Sequence, residues 1–76
     1  MNKITRIGLD IAKNIFVLHA VNEHGKTVKR QTLDRSKVLS FFAQIEPCIV
    51  GIESCASSQH WAREITKFGH TVKLMN

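Results

Sequence analysis

The run Cys48-Ile49-Val50-Gly51-Ile52 constrains this 76-residue chain more than any other stretch. It is short, uncharged and continuously apolar, it follows Pro47, and it is closed directly by Glu53. Such a run predicts a parallel strand covered on both faces rather than the alternating strand of a half-exposed sheet.

The flanking segments read as the rest of an α/β sheet. Ile4 to Ile11 predicts a strand with Thr5, Ile7, Leu9 and Ile11 on one face, and Gly8 and Asp10 on the other. Asn14 to Asn22 carries β-branched and aromatic residues on both faces, as a central strand would. A turn at Glu23-His24-Gly25-Lys26 leads into a third strand, Thr27 to Leu33, and completes an antiparallel meander. Asp34 is placed to cap a helix whose apolar positions are Val38, Phe41, Phe42 and Ile45, with Pro47 marking its end. After the apolar run, Ser54 to Ser57 reads as a loop. Ser58 is placed to cap a second helix with Trp61, Ile65 and Phe68 on its apolar face and Gly69 at its C′ position. Thr71 to Met75 predicts a fifth strand. The expected order is β-β-β-α-β-α-β, a mixed sheet in one domain over residues 1–76, with no repeat, low-complexity tract or linker.

Composition sets limits on partners. With 43% hydrophobic and 22% charged residues a packed core is expected, although a chain this short buries only about 60% of its unfolded surface. The net charge of +5 favours polyanions, nucleic acid above all, over acidic small molecules. Cys48 and Cys55 match no zinc spacing, and no leader or apolar run of about 18 residues is present, so reduced thiols, a cytoplasmic location and no membrane partner are expected.

Chemistry is concentrated in two echoing tripeptides. Gly8-Leu9-Asp10 ends the first strand and Gly51-Ile52-Glu53 ends the fourth, each setting a carboxylate two residues after a glycine and on the same face as it. If these strands are parallel neighbours, their ends lie about 4.8 Å apart and both acids project from one end of the sheet. Two carboxylates that close repel unless a proton or a cation intervenes. A hard divalent ion, Mg2+ or Mn2+, is the natural partner, because magnesium takes one or two protein carboxylates and keeps sites for water and phosphate oxygens. On the plainer reading, Asp10 and Glu53 are ordinary polar residues at strand ends.

Other residues have simpler readings. Lys26, Lys29 and Arg30 surround the third strand, where they either contact phosphates or protect a sheet edge. His19, His24, His60 and His70 show no metal-ligand spacing, and His19, in an apolar strand, is expected in the core with a hydrogen-bond partner. Ser54, Ser57 and Ser58 lack a nucleophile elbow, and helix capping accounts for them. Trp61 is in step with Ile65 and Phe68, which points to packing rather than base stacking.

Three ordered motifs, Gly8-Leu9-Asp10-Ile11-Ala12-Lys13, Gly51-Ile52-Glu53-Ser54-Cys55 and His60-Trp61-Ala62-Arg63-Glu64, resemble the amino-terminal domain of insertion-sequence 110-type transposases, relatives of the Piv DNA invertases. The resemblance covers nearly the whole chain. It implies a ribonuclease H-like (RuvC-like) fold, cut off here after the fifth strand, with an Asp-Glu-Asp-Asp tetrad that binds Mg2+ or Mn2+. The first Asp and the Glu fall on Asp10 and Glu53, and the other two would come after residue 76. It also implies a serine-bearing domain elsewhere, DNA as substrate, a guide RNA, and homo-oligomers of the full-length protein. Lys13, Lys26, Lys29 and Arg30 are the candidate nucleic-acid contacts. Half a tetrad should hold metal weakly, so no recombinase activity is expected of these 76 residues alone.

Two other readings compete. One is a non-catalytic nucleic-acid-binding remnant that regulates full-length transposase through its basic surface. The other is a piece of an actin-like kinase or ATPase, which the absence of glycines in the first hairpin disfavours.

Overall fold

A computed structural model describes residues 3–12 and 14–75. Its elements follow the expected order: β1 (Ile4–Ile11), β2 (Ile15–Asn22), β3 (Thr27–Asp34), α1 (Val38–Gln44), β4 (Ile49–Glu53), α2 (Ser58–Thr66) and β5 (Thr71–Met75). They form one five-stranded mixed sheet in the order β3-β2-β1-β4-β5. β1, β2 and β3 are an antiparallel meander, and β4 and β5 add in parallel beside β1.

Local chemistry explains the turns. The buried Asn22 side chain accepts hydrogen bonds from the backbone of His24 (2.9 Å) and Lys26 (3.1 Å), and Gly25 takes a positive φ of 77° between them. That combination closes the β2–β3 hairpin without strain. Gly69, at φ 94°, lies two residues past the Lys67 C-cap, one beyond the expected C′ position, and donates its N–H to the Thr66 carbonyl in the turn that leaves α2.

Both helices pack on the same face of the sheet. Val38 and Phe42 of α1 and Trp61 and Ile65 of α2 join Ile7, Leu9, Phe16, Leu18, Val50 and Ile52 in one core. Phe16 and Trp61 meet edge to face, ring centroids 4.8 Å apart.

This one-sided packing corrects three expectations. β2 is not buried on both faces: Phe16, Leu18 and Ala20 point into the core, while Val17, His19 and Val21 stay half-exposed. Within the apolar run, Val50 and Ile52 are fully buried but Ile49 is 39% exposed, so β4 is also covered on one side. Phe68 lies beyond the end of α2 and is exposed, because the helix stops before it can complete the apolar stripe.

The capping expectations are corrected as well. Asp34 makes no side-chain cap, since a 3-10 turn at Arg35–Lys37 separates it from α1. Ser58 sits inside the first turn of α2, where its hydroxyl donates to the Cys55 carbonyl (2.8 Å) and accepts from the Cys55 N–H (3.0 Å). It ties down the loop after Glu53 rather than the helix end.

The histidine in the core is His70, not His19. Only 2% exposed, it accepts the Cys48 backbone N–H on Nδ1 (3.0 Å), and its Nε2 lies 2.8 Å from the Phe42 carbonyl. Those two partners assign the neutral Nε2–H tautomer. His70 thereby joins the end of α1 to the start of β4 from its position just before β5.

Candidate active site

The parallel pairing of β1 with β4 runs Arg6 to Ile49, Ile7 to Val50, Gly8 to Gly51 and Leu9 to Ile52. The next residue on each strand is the carboxylate, Asp10 on one and Glu53 on the other. Side-chain alternation sends both to the face opposite the helices, because Leu9 and Ile52 between them and their glycines point into the core. The sequence-predicted acids are therefore brought together, at the carboxyl ends of adjacent parallel strands.

Both line a cleft of about 320 Å3 shared with Gly8, Leu9, His19, Gly51 and Met75. Each is exposed, and neither carboxylate takes part in an ion pair or hydrogen bond with a described residue. Among the described residues no three His, Cys, Asp or Glu side chains converge closely enough to hold a metal, so the pair has no third protein ligand.

The two glycines differ in why they are there. A Cβ on Gly51 would fall 2.9 Å from the end of the Met75 side chain, so β5 itself fills the space above it. A Cβ on Gly8 would meet nothing within 4 Å. Glycine in a strand interior costs about 0.5–1 kcal/mol relative to alanine, and nothing in these residues offsets that cost at Gly8. The Gly8→Ala chain should accordingly fold as well as the parent or be more stable by about 0.5 kcal/mol. Chemical denaturation checks this, and a loss above about 1 kcal/mol would mean that the fold itself requires the glycine.

His19 was missed as a cleft residue. It pairs with Gly8 across β1 and β2, on the open face, and lines both the acid cleft and a second groove of about 510 Å3 walled by Arg6, Val21, Ile49 and Lys73. The signal was present in the alternation Phe16, Leu18, Ala20. Assuming two-sided burial of β2 concealed it.

The basic candidates do not form one patch. β3 is the sheet edge, as expected. Arg30 stands opposite His19 on the open face, whereas Lys29 turns to the helix side with its Nζ 5.6 Å from the Phe41 ring. Lys26 is in the β2–β3 turn, and Lys13 lies outside the described residues. Trp61, 4% exposed, is a core residue, in keeping with its helical spacing.

The cysteines are both free and have opposite environments. Burial pushes the Cys48 thiol up, and hydrogen bonds from the Ser57 backbone and hydroxyl pull the exposed Cys55 thiol down. Iodoacetamide at neutral pH should therefore label Cys55 in the native chain and Cys48 only on unfolding, as read by mass spectrometry; equal rates would contradict the packing of β4. Cys48 also gives a sign for alkaline stability. Its thiol stays protonated in the fold while the unfolded chain ionises, so the contribution of Cys48 to stability should fall as pH rises above about 8.5, opposite in sign to that of Cys55, and Cys55→Ser should make the fall visible.

The fold is thus of the class of α/β proteins with a mixed sheet covered on one face, here with two carboxylates at adjacent parallel strand ends that have no partner among the described residues. Comparison with known proteins narrows the class. No protein-family model matches the chain. It is 47% identical over 72 residues, 95% of its length, to the "Probable family 20 transposase" of Pseudomonas aeruginosa. It is 42% identical over its full 76 residues to the transposase for insertion sequence element IS1328 of Yersinia enterocolitica, and 30% identical, again over its full length, to that for IS1111A of Coxiella burnetii. The chain spans 21%, 23% and 21% of those three relatives. It is thus similar along nearly all its length to about a fifth of each transposase. Among the described residues no helix is long and apolar enough to cross a membrane.

Proposed function

We propose that this chain is the amino-terminal part of a DNA transposase, built on a ribonuclease H-like (RuvC-like) sheet, and that Asp10 and Glu53 are the first two carboxylates of its metal-binding tetrad. The observation that carries the reading is the register of β1 with β4, which sets side by side on an open face two acids that have no partner among the described residues. The transposase names of the relatives supply the substrate, DNA.

The residues fit a divalent ion: two carboxylates without a partner among the described residues and an empty space over Gly8 suit a cation that keeps several waters and a phosphate oxygen. Asp10 and Glu53 would hold Mg2+ or Mn2+, which would supply charge stabilisation to the attacking and leaving oxygens of a phosphodiester. The protein's own contribution is geometric. β1 and β4 are neighbours in the middle of a five-stranded sheet, so the carboxylates are mounted on rigid backbone rather than on loops. The remaining two acids of the tetrad, the nucleophilic serine, a guide RNA and homo-oligomeric assembly belong to the full-length protein on this reading.

Manganese binding is the direct test. Titration of the chain followed by electron paramagnetic resonance should detect a weak site that Asp10→Asn and Glu53→Gln each remove. Binding that survives both substitutions would sink the assignment.

A further inference from the structure

Another cleft contains neither Asp10 nor Glu53. It lies on the helix side of the same sheet end, has a volume of about 550 Å3, and is lined by Asn14, Asp34, Arg35, Ser36, His60 and Trp61. We propose that this cleft binds a backbone phosphate of the nucleic-acid strand, with Arg35 and His60 as the contacting groups and Trp61 as the plate that holds Arg35 in place.

Three observations carry it. First, the Arg35 guanidinium lies over the Trp61 ring, 5.3 Å from its centroid, and the His60 ring meets the same indole edge to face at 5.3 Å. Arginine stacked on an aromatic face loses little further freedom when it forks onto a phosphate. Second, no described residue hydrogen-bonds or ion-pairs with the Arg35 guanidinium, the His60 ring or the Asn14 amide, although Asp34 stands on the same wall. Several donors thus face one space without an acceptor. Third, the Trp61 indole N–H is buried and has no acceptor among the described residues. Buried donors are almost always satisfied, so the indole N–H of this cleft-lining residue is a polar group that the described residues leave unaccounted for.

Position makes the ligand a strand rather than a free ion. The Arg35 backbone N–H donates to the Asn14 carbonyl (3.1 Å), which anchors the cleft to the short connection between β1 and β2. Asp10 lies in β1 just before that connection, facing the other side of the sheet. A nucleic-acid strand running over this end of the sheet would meet the acid pair on one face and Arg35 and His60 on the other. The inference rests on nucleic acid being the substrate, but not on the metal.

The chain has a single tryptophan, so the indole N–H resonance of Trp61 reports on the cleft directly. Adding a short single-stranded oligonucleotide to the 15N-labelled chain should move that resonance; an unmoved resonance at saturation would overturn the proposal. Inorganic phosphate at the same phosphate concentration should move it much less, and an equal shift would overturn the assignment to a strand. Fluorescence anisotropy gives the energetic arm. Arg35→Gln should weaken binding about fivefold to tenfold at low salt and flatten the salt slope by about 0.7, the share of one single-strand phosphate. Lys67→Gln, at the far end of α2 from His60, should cost less than half of that. Equal losses would mean diffuse charge attraction and no site. The indole measurement needs no substitution, so a variant that failed to fold would leave the proposal exposed to refutation. Manganese binding reads the acid pair separately: loss of that signal with the indole shift intact refutes the metal assignment alone, and the reverse refutes this one alone.

Discussion

Asp10→Asn is expected to weaken manganese binding to the chain by at least about tenfold, or 1.4 kcal/mol, while leaving the fold intact. The substitution removes one of two negative charges that share a cleft and have no described ion-pair partner. It should not disturb packing, since the Asp10 side chain is exposed on the open face. In a full-length protein containing this chain the same change should lower strand cleavage by about a thousandfold, the usual scale for removing a group that stabilises transition-state charge. Asp34→Asn is the matched control: also exposed at a strand end, it lies in the other cleft and should alter manganese affinity less than twofold, about 0.4 kcal/mol. Equal effects of the two substitutions would mean that the metal senses net charge and not the pair.

His70→Leu should lower stability by about 2–4 kcal/mol in chemical denaturation. It removes the imidazole that bridges two buried backbone groups and leaves the Cys48 N–H and the Phe42 carbonyl without it. The Phe42 ring also packs edge to face on the imidazole, centroids 5.4 Å apart, and a leucine cannot reproduce that contact. A domain of this size has little stability in reserve, so the variant should be partly unfolded at 37 °C. His19→Leu is the contrast, because His19 is half-exposed on the open face and should cost less than about 0.5 kcal/mol. A reversal of that order would place the structural histidine in β2 after all.

Much of the architecture could be read from residue order. Alternation in Ile4–Ile11, turn chemistry at Asn22–Lys26, apolar positions at Val38, Phe41, Phe42 and Ile45, and the run ending at Glu53 each depend on neighbours within a few residues. The paired carboxylates were legible for the same reason: a glycine and an acid two apart on a strand share a face whatever the rest of the sheet does. Capping was less legible. Whether Asp34 or Ser58 caps a helix depends on where the first helical turn begins, and a 3-10 turn moved α1 away from Asp34.

What local pattern determined by itself, then, was the set of elements, their order, and the face of each strand that bears Asp10 and Glu53. Only the tertiary structure decided which face the helices cover. Both pack on the Leu9–Ile52 side, which converts His19 from a core residue into a cleft residue and leaves Ile49 in the open. An apolar residue in a strand carries the same hydrophobic signal toward either face, so sequence alone cannot distinguish burial on one side from burial on two. Tertiary packing also brought Arg35 onto Trp61, and His70 between Cys48 and Phe42, across separations of more than twenty residues. Such pairings depend on the crossing of distant segments, which no short-range periodicity encodes.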